Sequence, residues 1–208
     1  MAKLKLWGQP KSINVQKALW ALDELSLPYE RIDAGGQFGR NKDADYLSLN
    51  PNGLIPVLED EGAALWESNA IVRYLITKYG SAPLQPTEPI QRARADAWTD
   101  WGTSTFWTPT RVLVVQLVRT PENKRDQAQI EAAKAQVKDA VRILDSELAK
   151  RPFLVGDQFT WGDISAAAAA QRYFTLPIER PATKSLDAWF AKVKERPAFK
   201  KWIDLPLT

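Results

Sequence analysis

The feature that most constrains this chain is a break in its hydrophobic patterning near residue 80. Up to that point short strand-like runs alternate with helical stripes. Leu4-Lys5-Leu6-Trp7 reads as a strand ended by Gly8 and Pro10. Val15, Ala18, Leu19, Leu22 and Leu25 recur at helical spacing, and that helix closes before Pro28. Tyr29 to Ala34 alternates apolar and charged residues as a second strand. Gly35 to Asn52 is irregular and polar, with one short helical piece around Ala44 to Leu47. Val57-Leu58 and Ala64-Leu65-Trp66 read as two strands joined by the turn Glu59-Asp60-Glu61-Gly62. Ile71, Val72, Leu75, Ile76 and Tyr79 then make a second helical stripe.

Between Gly80 and Pro89 the composition changes to Ser, Pro, Gln and Thr, which marks a linker. Beyond it every apolar pattern is helical. Ile90 to Val118 reads as helix except at Pro109, which should kink or interrupt it. Ile130, Val137, Val141, Leu144 and Leu148 form a long amphipathic stripe, Ile164 to Tyr173 is apolar enough to be buried on every side, and Leu186, Trp189, Phe190 and Val193 mark a final full helix. Thr160-Trp161-Gly162-Asp163 fits a capping box, with Phe159 and Ile164 placed as a hydrophobic staple. These patterns predict an α/β domain over residues 1–80, a linker over 81–89 and an all-helical domain over 90–208.

Two absences narrow the chemistry. The 208 residues include no cysteine and no histidine. Disulfides, thiolate metal sites, protein-thiol nucleophiles and histidine-based triads are therefore excluded. Catalysis must rest on hydroxyls, amides, carboxylates, lysines, backbone dipoles or a reactive group brought by a second molecule. The 28 basic residues are interspersed with 25 acidic ones and form no dense basic tract, which argues against nucleic-acid binding. No apolar run approaches the roughly 18 residues of a membrane span, and the first residues lack a secretory apolar core, so the expected location is the cytoplasm.

Three segments carry polar groups where a strand meets a helix. In Trp7 to Lys17, Ser12 and Asn14 arrive at a helix N-terminus, whose free N–H groups favour an anion; a plain helix cap fits Ser12 equally well. In Asn50-Pro51-Asn52-Gly53-Leu54-Ile55-Pro56-Val57-Leu58, Pro56 precedes a strand. A cis Ile55–Pro56 bond would turn the Ile55 backbone outward to pair with an extended peptide, whereas a trans bond would simply start the strand. In Trp66-Glu67-Ser68-Asn69-Ala70-Ile71, a carboxylate and a hydroxyl flank another helix N-terminus. That suits the ammonium and carboxylate of an amino-acid end group, and again a cap.

Taken together, these segments resemble the glutathione transferase family. The matching pieces are Ser12-x-Asn14 after the first strand, Asn50 to Leu58, Glu67 to Ile71, and Val155-Gly156-Asp157 through Thr160 to Asp163. Theta-like bacterial members share a Gly-Gly-x-Phe-Gly stretch like Gly35 to Gly39. The resemblance implies a thioredoxin-like N-terminal domain with cis Pro56, followed by an all-α domain. It further implies that Ser12 and Asn14 activate the thiol of glutathione, the co-substrate. The Ile55 backbone would pair with the cysteinyl part, Glu67 and Ser68 would hold the γ-glutamyl end, and Lys42, with Arg40, would meet the glycine carboxylate. Phe38, Trp101, Trp107 and Arg111, with Trp98 and Phe106 beside them, would line a pocket for a small apolar electrophile. The implied protein is a metal-free, cytoplasmic, homodimeric detoxification enzyme. A glutathione-dependent peroxidase or dehalogenase and a non-catalytic interaction protein are the rival readings. The chain departs from many relatives in carrying Leu54 where they have glutamine.

Overall fold

The computed structural model describes residues 4–207. The chain divides into two compact units, Met1–Ser81 and Ala82–Thr208. The first holds strands β1 (Leu4–Trp7), β2 (Tyr29–Ile32), β3 (Val57–Asp60) and β4 (Ala63–Trp66), with helices α1 (Ile13–Glu24), α2 (Ala44–Leu49) and α3 (Ser68–Tyr79). The sheet order is β2-β1-β3-β4, with β1 parallel to β2 and antiparallel to β3, and β3 antiparallel to β4. Trp7 stands opposite both Ile32 and Val57, so the end of β1 is fixed from both sides just before the loop into α1.

The β3–β4 hairpin is tighter than its sequence suggests. Asp60 still pairs with Ala63, leaving Glu61 and Gly62 as a two-residue turn with φ of 50° and 85°. Positive φ at both positions is the twist-compatible hairpin geometry. Asp60 ends β3 almost fully buried, where its carboxylate accepts from the hydroxyls of Tyr74 (2.7 Å) and Tyr79 (2.7 Å) and from Lys78 Nζ (2.8 Å). All three donors lie on α3, so this one carboxylate docks the helix against the sheet.

Helix α1 is buried without a break from Val15 through Leu22. Its apolar members Trp20, Leu19 and Leu22 each contribute about 1.5–3 kcal/mol by leaving water. Burial on all faces also encloses two polar residues that the helical stripe leaves aside. Gln16 donates to Pro10 O (2.8 Å), and Lys17 Nζ donates to Asn69 Oδ1 on α3 (2.9 Å).

The second unit contains α4 (Pro89–Trp101), α5 (Thr108–Val114), α6 (Gln127–Leu148), α7 (Trp161–Thr175), α8 (Lys184–Lys194) and α9 (Pro197–Trp202). Pro89 is the first residue of α4, where a missing N–H costs nothing, so the helix begins inside the predicted linker. The α-helix expected over Ile90 to Val118, with Pro109 kinking or interrupting it, is interrupted ahead of that proline. The chain widens into π-helical turns at Gly102–Trp107 and Val115–Arg119, and Pro109 sits at the start of α5 just after the first of them. The wider turn removes the demand for a bond from the Pro109 nitrogen.

At the start of α7 the capping box is present in full. The Thr160 hydroxyl accepts from Gly162 N, and Asp163 Oδ2 accepts from Thr160 N at 3.0 Å. Asp163 does more than cap: its other oxygen accepts from Leu154 N (3.0 Å) and from Trp189 Nε1 of α8 (2.9 Å). Burial pushes its carboxyl up to about 6, against the pull of these donors. Removing it would orphan several buried N–H groups together. Asp163→Ala should therefore lower unfolding free energy by about 2–4 kcal/mol in denaturant titration, well above the ~1 kcal/mol of an ordinary cap. A loss near that ordinary value would show that water replaces the carboxylate.

Acidification should report on the Asp60 cluster. Desolvation pushes the Asp60 carboxyl up, but the bonds from Lys78, Tyr79 and Tyr74 outweigh it and hold it below the usual range. As pH falls, the unfolded chain therefore takes up the proton first. The stability due to Asp60 is complete above about pH 4 and is lost as pH drops through the lower folded value. The Tm advantage of wild type over Asp60→Asn should be constant from pH 5 upward and shrink below pH 4. An advantage independent of pH would remove Asp60 from the acid-labile groups.

Candidate functional site

The loop after β1 delivers Ser12 to the N-cap of α1 with extended backbone, φ −78° and ψ 125°. Its carbonyl opens the helix by accepting from Gln16 N (2.9 Å), while its amide donates back to Gln9 O (3.2 Å). The hydroxyl makes no cap hydrogen bond. Ser12 thus holds the cap position with its side chain uncommitted, beside the free N–H groups of the first turn. Asn14 lies two residues inside the helix and is half-buried. Its Oδ1 accepts from the Ser68 hydroxyl at 3.3 Å. The first turns of α1 and α3 are therefore joined directly, and the sequence-predicted Asn14 and Ser68 come together.

Glu67 occupies the N-cap of α3 with φ 71° and ψ 110° and makes no side-chain cap bond. A non-glycine residue at this φ costs on the order of 1–3 kcal/mol and persists only where its surroundings impose it. Glu67 is exposed, whereas Ser68 is 5% exposed. The polar pair at this helix start thus presents a free carboxylate outside and a bound hydroxyl inside.

The Ile55–Pro56 bond is cis, and a second cis bond, Ala82–Pro83, lies at the start of the second unit where the sequence offered no pointer to it. The run into Ile55 is pinned by α2 and its approach. Asn41 Nδ2 donates to Gly53 O (2.8 Å), and both Tyr46 Oη and Asn50 Nδ2 donate to Leu54 O (2.8 Å each). A side chain at Gly53, where φ is 59°, would collide with Asn41 O and Lys42 Nζ at 2.7 Å. The chain therefore packs closely there, and Lys42 lies against the same loop, with Nζ 3.4 Å from Asn52 O. Ile55 packs its side chain beside Tyr46, Ala34 and Val57, but its amide and carbonyl bond to nothing among the described residues. Ladder pairing starts only at Val57. Arg40 stacks its guanidinium over Trp7, 5.0 Å from the ring centre.

The aromatic candidates fall into two groups. Phe38 is 37% exposed in the first unit, on the short turn Gly36–Phe38. In the second unit Trp101 packs edge-on against Trp98 at 5.2 Å and tilts toward Phe106 at 6.1 Å. Phe106 is wholly buried and belongs to the core. Trp107 closes the π-helical segment half-buried, and Arg111 is exposed four residues later. Sequence reasoning passed over Lys17 and Asn69. Their signal was a lysine inside an apolar helical run and an asparagine directly after Ser68. Among the described residues no cluster of acidic side chains could hold a metal ion, and no helix is long and apolar enough to cross a membrane.

A four-stranded mixed sheet carrying two helix N-termini, followed by an all-helical unit, defines a class with known members. Residues 2–77 match the family described as glutathione S-transferase, N-terminal domain, and residues 96–197 match its C-terminal domain. The chain is 43% identical over 207 residues to the glutathione S-transferase GstB of Escherichia coli K12, covering 99% of this chain and all of that one. It is 33% identical to glutathione S-transferase 3 of Zea mays, covering 98% of this chain and 94% of the other. Among solved structures, the theta class glutathione S-transferase of Xanthomonas axonopodis pv. citri with glutathione bound superposes with a TM-score of 0.93 at 44% identity, each chain fully covered. The chain belongs to the glutathione S-transferase family.

The strained cap has a measurable consequence. Glycine adopts φ near 71° without penalty but gives up about 0.5–1 kcal/mol of unfolded-state entropy. Glu67→Gly should therefore fold with equal or greater stability, by up to about 2 kcal/mol, while Glu67→Ala should not. Chemical denaturation of the two variants decides it; a Glu67→Gly protein markedly less stable than wild type would mean that the carboxylate holds the loop.

Proposed function

We propose that this enzyme lowers the thiol pKa of bound glutathione with the Ser12 hydroxyl and the N-terminus of α1, Asn14 assisting, and directs the thiolate at small apolar electrophiles. The observation that carries this reading is the Ser12 hydroxyl, positioned as a helix cap yet engaged in no cap bond. A free thiol of pKa about 8.5 is only roughly 3% thiolate at pH 7, and a fall of about two units makes the thiolate the major form. Such a fall corresponds to nearly 3 kcal/mol of differential stabilisation of the anion. A hydroxyl donor and a helix N-terminus both favour the charged form. The thiolate is then the nucleophile that the protein itself lacks.

The rest of the site suits the tripeptide. The unpaired amide and carbonyl of Ile55 offer a strand-like pairing to the cysteinyl residue beside cis Pro56. The Glu67 carboxylate suits the γ-glutamyl ammonium, and the N-terminal N–H groups of α3 suit its carboxylate. Because the Ser68 proton is directed at Asn14, the Ser68 oxygen is left as an acceptor, which fits the ammonium better than the carboxylate. Lys42 supplies the cation for the glycine carboxylate, with Arg40 nearby in sequence. Phe38, Trp101, Trp107 and Arg111 are assigned to the electrophile pocket on the strength of the family resemblance. The same resemblance supports a cytoplasmic homodimer and a detoxification role.

The test is the ultraviolet absorbance of bound glutathione thiolate as pH is raised, in wild type, Ser12→Ala and Asn14→Ala. Wild type should titrate about two units below the free thiol, and Ser12→Ala should move the midpoint back by about one unit or more. Binding without any shift in wild type would overturn thiol activation and favour a non-catalytic binding protein.

A further inference from the structure

Lys17 is the most anomalous residue beside the site. It lies one turn inside α1, 3% exposed, within the buried run from Val15 to Leu22. Withdrawing an ammonium group from water costs several kcal/mol, and a methionine of similar length would fill the space without that cost. Polar residues that break the local packing rule concentrate where function needs them. The Lys17 ammonium donates to Asn69 Oδ1 at 2.9 Å, across to the first turn of α3. The neighbouring Ser68 donates to Asn14 Oδ1 at 3.3 Å, back across to the first turn of α1. Two polar struts of opposite direction therefore tie the same two helix starts.

We propose that Lys17 is a positioning residue: through Asn69 it holds the start of α3 so that Ser68 keeps Asn14 turned with its amide N–H groups free to donate to the glutathione thiolate. The reasoning is geometric. Asn14 Oδ1 accepts from Ser68 Oγ, and an amide carries its N–H donors on the other arm of the same planar group. Were α3 to shift, Ser68 would lose Asn14, and the amide could present its oxygen to the sulfur, which repels an anion. A neutral side chain at position 17 would fill the same volume but could not bind Asn69. The inference rests on thiol activation at Ser12 and Asn14 and adds the group that keeps the assisting donor aimed.

The experiment measures kcat and KM for glutathione with a chlorodinitrobenzene as electrophile, together with the bound thiolate titration and Tm. The proteins are wild type, Lys17→Met, Lys17→Arg, Asn69→Leu and the Lys17→Met/Asn69→Leu double variant. Lys17→Met should keep KM for glutathione within about threefold while kcat falls about tenfold or more. The thiolate midpoint should rise with it, and Lys17→Arg should restore most of the loss. Asn69→Leu should reproduce the defect, and the double variant should be no worse than either single, because both remove one strut. Wild-type kcat in Lys17→Met, or additive losses in the double variant, would overturn the positioning role while leaving thiol activation intact. An undepressed midpoint in wild type would overturn thiol activation and this inference with it. Should Lys17→Met fail to fold, Asn69→Leu decides alone, since wild-type kcat there also overturns the strut.

Discussion

The hydrogen bond from Ser68 to Asn14 joins residues 54 positions apart and fixes where two helix N-termini meet. Much of the first unit serves that meeting. Pairing of β1 with both β2 and β3 sets the point from which the loop to α1 departs. The carboxylate of Asp60, at the end of β3, collects three donors from α3 and so sets that helix against the same sheet. A helix start carries unsatisfied N–H groups and partial positive charge. The sheet is thus the frame that brings two weak fields to one place.

Two other helix starts show a cap side chain engaged with its own helix, while Asp43, Glu88, Thr183 and Arg196 at the starts of α2, α4, α8 and α9 make no such bond. At α7 the Thr160 hydroxyl accepts from Gly162 N, and at α6 Asp126 accepts from Gln129 N. Both side chains are committed to their own helix. Ser12 occupies the corresponding position on α1, and Glu67 on α3, yet neither makes such a bond. The Ile55 amide and carbonyl are also left open, although the residues just before them, Gly53 and Leu54, have carbonyls gripped by Asn41, Tyr46 and Asn50. The Ser12 hydroxyl, the Glu67 carboxylate and the Ile55 backbone are thus left open beside groups that are satisfied, among them Asn14 and Ser68, which bond each other. That contrast is what a binding surface for a polar peptide requires, because groups already bonded have little to offer a ligand.

The order of strands and helices in the first unit was legible in the sequence because the hydrophobic period there switches between two and 3.6. The capping box at Thr160 to Asp163 was legible for the same local reason, its partners lying three residues apart. What stayed hidden was relational. Tyr46 and Asn50 act on Leu54 from a short helix, and nothing local marks them as its clamps. Lys17 lies outside the apolar positions of its helical stripe, and only the folded chain shows it enclosed in the buried run from Val15 to Leu22. Pro109 marks an interruption in the sequence, but the form it takes, a widened turn ahead of the proline, is a matter of backbone winding and has no side-chain signature. The sequence places Ser12 and Glu67 at helix starts, but only the folded chain shows that neither side chain caps its own helix.

The missing cysteine and histidine determine how such a site can operate. With no base of ordinary pKa near neutrality, the protein has no imidazole or thiolate to take a proton, so activation must come from stabilising the anion. A hydrogen bond to a charged partner contributes about 1.5–3 kcal/mol, and a helix end about 0.3–1 kcal/mol, up to ~2 in favourable partly buried positions. Nearly 3 kcal/mol is needed for a two-unit fall in thiol pKa. Ser12 alone reaches that only at the top of its range, so the helix terminus and a second donor are required for a dependable shift. Asn14 can be that donor only while its amide nitrogen faces the sulfur, and an amide rotated by half a turn would subtract what it should add. On the proposed reading, orientation at Asn14 would carry more of the activation than its bond energy alone suggests, and the buried contacts that fix it would matter as much as the Ser12 hydroxyl.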